Sequence, residues 1–134
     1  MLQLVIHGGA GSLEGKTAKA QIIHQSLCRI WEETFELLKK MTAEDAVIHG
    51  IRLLEDDPVF NAGTGSKLQA DGEVRMSAAL MDGVKNRFSG VINVQNIRFP
   101  IEAAALLSKE KNTVLSGNQA TEFCRNHGFV EHDP

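Results

Sequence analysis

What the 134 residues lack narrows the field first. No run of 18 apolar residues occurs, so no segment reads as a membrane-spanning helix. Met1 to Ile6 is too short for the apolar region of a secretory signal and has no basic start. A cytoplasmic protein is therefore expected. No basic block stands out, and 14 Lys and Arg face 17 Asp and Glu for a net charge of −3. That balance disfavours nucleic acid and anionic membranes as partners. Cysteine is scarce. Cys28 and Cys124 form no CxxC, sit far apart in helix-like patterns, and read as buried thiols of a reducing compartment. No HxxxH or carboxylate spacing argues for a transition metal. There is no internal repeat and no low-complexity linker. What is present is a 43% apolar content, enough for a core in one domain or one subunit of a larger one.

Periodicity then assigns elements. Leu2 to Ile6 is short, mostly apolar and stopped by glycine, which predicts a buried strand. Gly8 to Gly15 is a loop. From Thr17 to Met41, Ile23, Leu27, Ile30, Trp31, Leu38 and Met41 recur at steps of three and four, predicting an amphipathic helix. A second helix opens at "TAEDAVIHGIRLLEDDP", with Thr42 and Asp45 in a capping-box pattern and Asp57-Pro58 as its stop. Such a helix pair needs an apolar surface to cover, and a sheet is the natural one. "SKLQADGEVRMSAALMDG" predicts two strands about an Asp71-Gly72 turn, and "RFSGVINVQN" a third. Pro100 opens a further helix, "NTVLS" is short and β-like, and "NQATEFCRNHG" is a last helix closed by Gly128. This order is not the regular βαβ alternation of a doubly wound sheet. It suits helices on a mostly antiparallel sheet.

Two glycine clusters carry the chemistry. The first is "HGGAGS", His7 to Ser12. It fails as a dinucleotide fingerprint, because Gly9 and Gly11 are followed by Gly15, one residue too late for GxGxxG. Neither it nor "GTGSK" is a Walker loop. The oxyanion loop of lipases needs a GxSxG elbow, and none occurs. Two readings stay open: a bare backbone approaching a ligand or catalytic group, or a tight turn under a helix. The second cluster, "LLEDDPVFNAGTGS", begins at a helix C-terminus, where carbonyls lack partners. A hard monovalent cation could take several of those oxygens. An ordinary loop without an ion is the alternative.

"HGGAG", "LLEDDPVFNAGTGS", "MDG" at Met81 to Gly83, "SGVINVQNIRFPIEAAALL" and "LSGNQATEFCRNHG" together resemble the plant-type asparaginase and isoaspartyl peptidase family. The resemblance covers essentially the whole chain in order. It implies an α+β protein, the αββα four-layer sandwich of N-terminal-nucleophile hydrolases, with residues 1–134 as one unit forming roughly its N-terminal half. It implies an α subunit, or part of one, completed by a β subunit that begins with a catalytic threonine released by autoproteolysis. Two αβ pairs would assemble, hydrolysing asparagine or β-aspartyl dipeptides. A threonine hydroxyl needs a nearby base, and its own α-amine can serve. That threonine is not in this sequence. The one Gly–Thr bond, Gly63–Thr64, lies inside the "NAGTG" loop.

The same resemblance places His7, Gly8, Gly9 and Gly11 in a loop beside the nucleophile, with a core histidine as the alternative for His7. It places Asn61 near the nucleophile as a supporting residue, an Asx-turn being the competing role. It assigns main-chain oxygens of Leu54, Glu55, Asp57, Phe60, Ala62 and Thr64 to a structural sodium ion, with no catalytic cofactor. Ser77 departs from an acidic residue that many relatives carry, and Asp82 is expected to build a turn. His24, His49, His127 and His132 are expected on helix surfaces or the tail. Two further classes stay open: a non-catalytic anion-binding domain using His7 to Ser12 at a helix N-terminus, and an inactive family fragment.

Overall fold

The computed structural model describes residues 1–11 and 15–133. Ser12 of the first glycine cluster lies outside them. Helices α1 (Thr17–Leu38) and α2 (Ala43–Asp56) come first. A 3-10 turn at Gly63–Gly65 follows, then β1 (Met76–Asp82), β2 (Arg87–Val94), α3 (Pro100–Leu107), β3 (Val114–Ser116) and α4 (Gly117–Asn126).

Local chemistry accounts for the helix boundaries. The Thr42 hydroxyl accepts the Asp45 N–H at 3.1 Å and donates to Asp45 Oδ2 at 2.6 Å. A cap of this kind contributes about 1 kcal/mol. Asp57 leaves α2 in an extended conformation, as a residue before proline must. Pro100 is the first residue of α3. Past the end of α4, Gly128 takes φ +82° and its N–H bonds to Arg125 O at 3.1 Å, while the Phe129 N–H bonds to Cys124 O at 3.0 Å. Helix α1 stops at Leu38, short of the expected Met41. The N–H groups of Lys40 and Met41 both turn back to Leu37 O, and Met41 stays exposed.

The sheet has the order β1-β2-β3. β1 and β2 are antiparallel, with Ala78 opposite Val91 and Leu80 opposite Ser89, and β2 and β3 are parallel. The sheet is thus mixed rather than mostly antiparallel, because α3 carries the chain back between β2 and β3 as a crossover. A bulge lies between Met76 and Ala78, where Asn93 takes φ +54° and donates its N–H to Ser77 Oγ at 3.1 Å.

One sheet face forms the core. Met76, Val91 and Val94 pack with Ala103, Leu107, Ala120 and Cys124, and Leu80 packs with Ile101 and Ala104. The alanines of α3 let its backbone come close enough for the Ser89 hydroxyl to donate to Ala104 O at 2.7 Å. Helix α2 joins through Ile48 and Ile51, and α1 packs on α2. The helix pair therefore covers α3 and the Leu80 end of β1 rather than spreading over the sheet. The opposite sheet face is bare. Met81 and Phe88, opposite each other, are 54% and 52% exposed, and Ile92 and Val114 join them.

Three further expectations fail. Leu2–Ile6 forms no strand and is not buried: Val5 is 90% exposed, and the segment is tied by Trp31 Nε1–H donating to Leu4 O at 3.1 Å. A strand needs a neighbour for its N–H and C=O groups, and among the described residues none adjoins it. The hairpin forms its turn but not its first arm. Gln69 N–H bonds to Glu73 O at 2.9 Å and Gly72 takes φ +84°, yet Ser66–Ala70 has no ladder. Its sole large apolar side chain, Leu68, stays exposed, so pairing would gain little. Cys28 is exposed, not buried. It lies two residues, about 200° of helix, from buried Ile30.

Candidate active-site wall

The loop from Leu54 to Ser66 is built by close backbone approaches that only glycine permits. Gly63 takes φ +50°, and a methyl there would overlap the carbonyl oxygen of Glu55. A methyl on Gly65 would overlap Phe60 O and stand 2.7 Å from Pro58 O. The "NAGTG" turn is thereby folded onto the end of α2.

Three consecutive acidic residues tie this loop to three other elements. The buried Glu55 carboxyl (the residue is 4% exposed) accepts the Ile101 N–H at 3.0 Å. That N–H is one of the donors left over in the first turn of α3, whose N-cap Phe99 offers no side-chain bond. Asp56 takes a forked contact from Arg98 at 2.6 and 2.9 Å. Asp57 takes Arg29 of α1 at 3.0 Å and also accepts the Val59 N–H. Burial pushes the Glu55 carboxyl up to about 8, with Glu102 adding to the shift and the Ile101 N–H and Arg52 opposing it. Its Oε2 has no hydrogen-bond partner among the described residues.

Asn61 is exposed at the tip of the loop, and its Oδ1 accepts the Lys67 N–H at 3.0 Å. The oxygen being engaged, the amide presents its NH2 donor outward. The bond reaches a residue six positions on, so it is not the Asx-turn of the competing role, and it leaves the NH2 group as a donor for other partners. A cavity of about 300 Å³ lies beside it, lined by Glu55, Asn61, Lys67, Arg75 and Ser77 among others.

The first glycine cluster meets the second here. A methyl on Gly8 would stand 2.8 Å from Phe60 Cε1 and 3.1 Å from Leu27 Cδ2. Gly8 is thus pressed against the residue preceding Asn61. Gly9 takes φ +108° and donates its N–H to His7 Nδ1 at 3.2 Å, and Gly11 is exposed with open space around it. His7 is exposed in this chain. The Gly9 N–H is also taken, where an anion site would want it free.

Among the expected cation ligands, the Asp57 and Ala62 carbonyls accept the Phe60 and Gly65 N–H groups, at 3.2 and 3.1 Å. The carbonyls of Leu54, Glu55, Phe60 and Thr64 accept no backbone N–H in this loop among the described residues. Pro58 has none to give to Leu54. Among the described residues no group of three His, Cys, Asp or Glu could hold a metal, and no helix could cross a membrane. Asp82 builds a turn, accepting the Val84 and Lys85 N–H groups at 2.9 and 3.0 Å. His49 pairs with Glu33 on the helix surface, His24 faces Cys28, and His127 closes α4.

Sequence reasoning placed Glu55 here for its carbonyl and missed its side chain. The signal was present: Glu55 follows Ile48 and Ile51 at steps of three and four, a charged residue on an apolar stripe.

Helices on one face of a mixed sheet, with two glycine-built loops meeting beside Asn61 and a polar cavity, define an α+β protein. Comparison narrows the class: the chain belongs to the asparaginase family, which it matches over residues 1–134. It is 50% identical over 125 residues to an isoaspartyl peptidase/L-asparaginase of Nostoc sp., covering 92% of this chain and 39% of that protein. The corresponding Synechocystis sp. protein is 47% identical over 133 residues, covering 98% and 40%. A plant-type L-asparaginase of Pyrococcus abyssi is 37% identical over 138 residues, covering 100% and 44%. The chain thus spans about two fifths of the length of these curated relatives.

Proposed function

We propose that this chain is the α-subunit portion of an isoaspartyl peptidase/L-asparaginase, active with a β subunit that begins with threonine. The observation that carries the reading is the meeting of Gly8 with Phe60, which sets the HGGAG loop beside Asn61 in a chain matching that family throughout. The threonine Oγ attacks the side-chain amide carbonyl of asparagine or of a β-aspartyl dipeptide, and its α-amine takes the proton. Ammonia or an amino acid leaves, and water then releases aspartate. The Asn61 NH2 group, held outward by the Lys67 bond, donates to the nucleophile side of this site.

Two features of this chain fit a missing complement. The bare face of Met81, Phe88, Ile92 and Val114 suits a second sheet, the inner partner in a four-layer αββα sandwich. Leu2–Ile6, apolar and without a ladder here, suits a strand of that second sheet. The complete assembly would be a pair of αβ units. A structural sodium ion on main-chain oxygens of Leu54, Glu55, Asp57, Phe60, Ala62 and Thr64 belongs to the same proposal; it is supported by the carbonyls of Leu54, Glu55, Phe60 and Thr64, hard donors that accept no backbone N–H in this loop among the described residues. A bound sodium ion would stiffen the loop that carries Asn61.

The test is the intact mass of everything that purifies with this chain from its complete gene, assayed with β-aspartyl dipeptides. The expected result is a second polypeptide beginning with threonine, with hydrolysis present only when both are. Hydrolysis by a preparation lacking any second chain would overturn the assignment.

A further inference from the structure

The Glu55 side chain has no part in the proposed chemistry, yet it is the buried member of the acidic trio. Asp56 is tied to Arg98 in a pair exposed on both sides, which contributes little, and Asp57 is tied to exposed Arg29 of α1. Glu55 differs in three ways. Its carboxyl is enclosed among α2, α3 and the loop, bonded to Ile101 N–H. Its own carbonyl is the surface against which Gly63 is folded. Asn61 stands between these two contacts in the chain, six residues after Glu55 and two before Gly63.

We propose that Glu55 is a positioning residue of this site: by bonding the first turn of α3 it fixes the end of α2, and through Gly63 it fixes Asn61. The chain of contacts is continuous. The core holds Ile101 fully buried, so its N–H is a fixed point. Glu55 Oε1 is tied to that point, and the loop is tied to Glu55 by backbone contact rather than by flexible side chains. Releasing the carboxyl frees the helix end and the turn that leans on it. Release should therefore move Asn61 without disturbing α1. Because it concerns the same site, this inference rests on the proposed function for its kinetic readout, and its structural readout does not.

The experiment uses the protein from its complete gene, with Glu55→Gln, Glu55→Ala, Glu55→Asp and Asp56→Asn. Glutamine keeps an acceptor oxygen at the same reach, aspartate keeps the carboxyl but falls short, and alanine loses both. Two quantities are measured: amide hydrogen exchange by mass spectrometry, and kcat and KM for a β-aspartyl dipeptide.

In Glu55→Ala and Glu55→Asp, residues 57–67 should exchange about tenfold faster, the scale of one lost hydrogen bond, with α1 unchanged. In the same variants kcat should fall at least about tenfold while KM stays within about threefold, because orientation and not substrate binding is lost. Glu55→Gln and Asp56→Asn should both stay within about twofold of the parent, since the acceptor or the buried tie survives. If alanine prevents folding, the aspartate variant carries the same comparison. Unchanged exchange in Glu55→Asp would overturn the inference. So would equal losses in the glutamine and aspartate variants, or acceleration spread equally over α1. Absence of hydrolysis in the parent would refute the proposed function alone, and the exchange comparison would still decide this point.

Discussion

Replacing Gly63 by alanine should be far more damaging than replacing Gly72, although both residues have positive φ. Gly63 has φ +50° and Gly72 φ +84°. An alanine in such a conformation costs roughly 1–2 kcal/mol at either place. At Gly72 nothing lies within 4 Å of the added methyl, so that cost is the whole effect. At Gly63 the methyl would stand 2.7 Å from the Glu55 carbonyl carbon and 2.8 Å from its Cα, besides overlapping its oxygen. Carbon atoms in contact prefer about 3.5–4.0 Å, so the end of α2 must retreat by about 1 Å. That retreat pulls Glu55 from the Ile101 N–H, and a buried bond lost in this way costs roughly another 1–3 kcal/mol. The expected destabilisation is about 1–2 kcal/mol for Gly72→Ala and about 2–5 kcal/mol for Gly63→Ala. Urea unfolding of the protein from its complete gene measures the difference, with activity on a β-aspartyl dipeptide followed in parallel. Equal destabilisation by the two variants would refute the argument that this loop is built by backbone contact.

Other expectations concern single groups. Asn61→Asp keeps the oxygen that accepts the Lys67 N–H but removes the amide donor. Its kcat should fall by about 100-fold, with stability within about 0.5 kcal/mol of the parent. Retention of parental activity would remove Asn61 from the site. The two cysteines should separate cleanly under iodoacetamide at pH 8. Burial pushes the Cys124 thiol up to about 11, so roughly one in a thousand is thiolate at that pH, and the side chain is inaccessible as well. Peptide mapping should show Cys28 labelled in the folded protein and Cys124 only in denaturant. Equal labelling would show that the core around α4 opens readily.

Local signals in the sequence were enough for the elements whose stability is local or whose partners lie nearby. Thr42 with Asp45 marked the start of α2, Pro100 that of α3, and Gly128 the end of α4. The alternation Met76, Ala78, Leu80 gave β1 with the correct inward face. The Asp71-Gly72 turn was equally legible, because positive φ at a glycine is decided within four residues. The glycines at 63 and 65 and the amide at 61 drew attention for sound chemical reasons.

Contacts distant in sequence were not legible. Leu2–Ile6 has a strand's composition, but a ladder depends on a neighbour that a local pattern cannot supply. Cys28 has a buried residue's chemistry, but which side of α1 is covered was set by where α2 lies. The Glu55 carboxyl shows the limit best. Its place on an apolar stripe is a signal of burial that the sequence reading passed over, and only the arrival of α3, 46 residues later, supplied the N–H that satisfies it. Period and capping are properties of a few adjacent residues, so the sequence by itself determined the helices, the starts of α2 and α3, the end of α4 and the glycine turns. The meeting of Gly8 with Phe60, the tie from Glu55 to Ile101 and the bare outer face of the sheet were decided by tertiary structure. Each depends on burial and hydrogen-bond satisfaction between segments brought together only when the chain closes on its core.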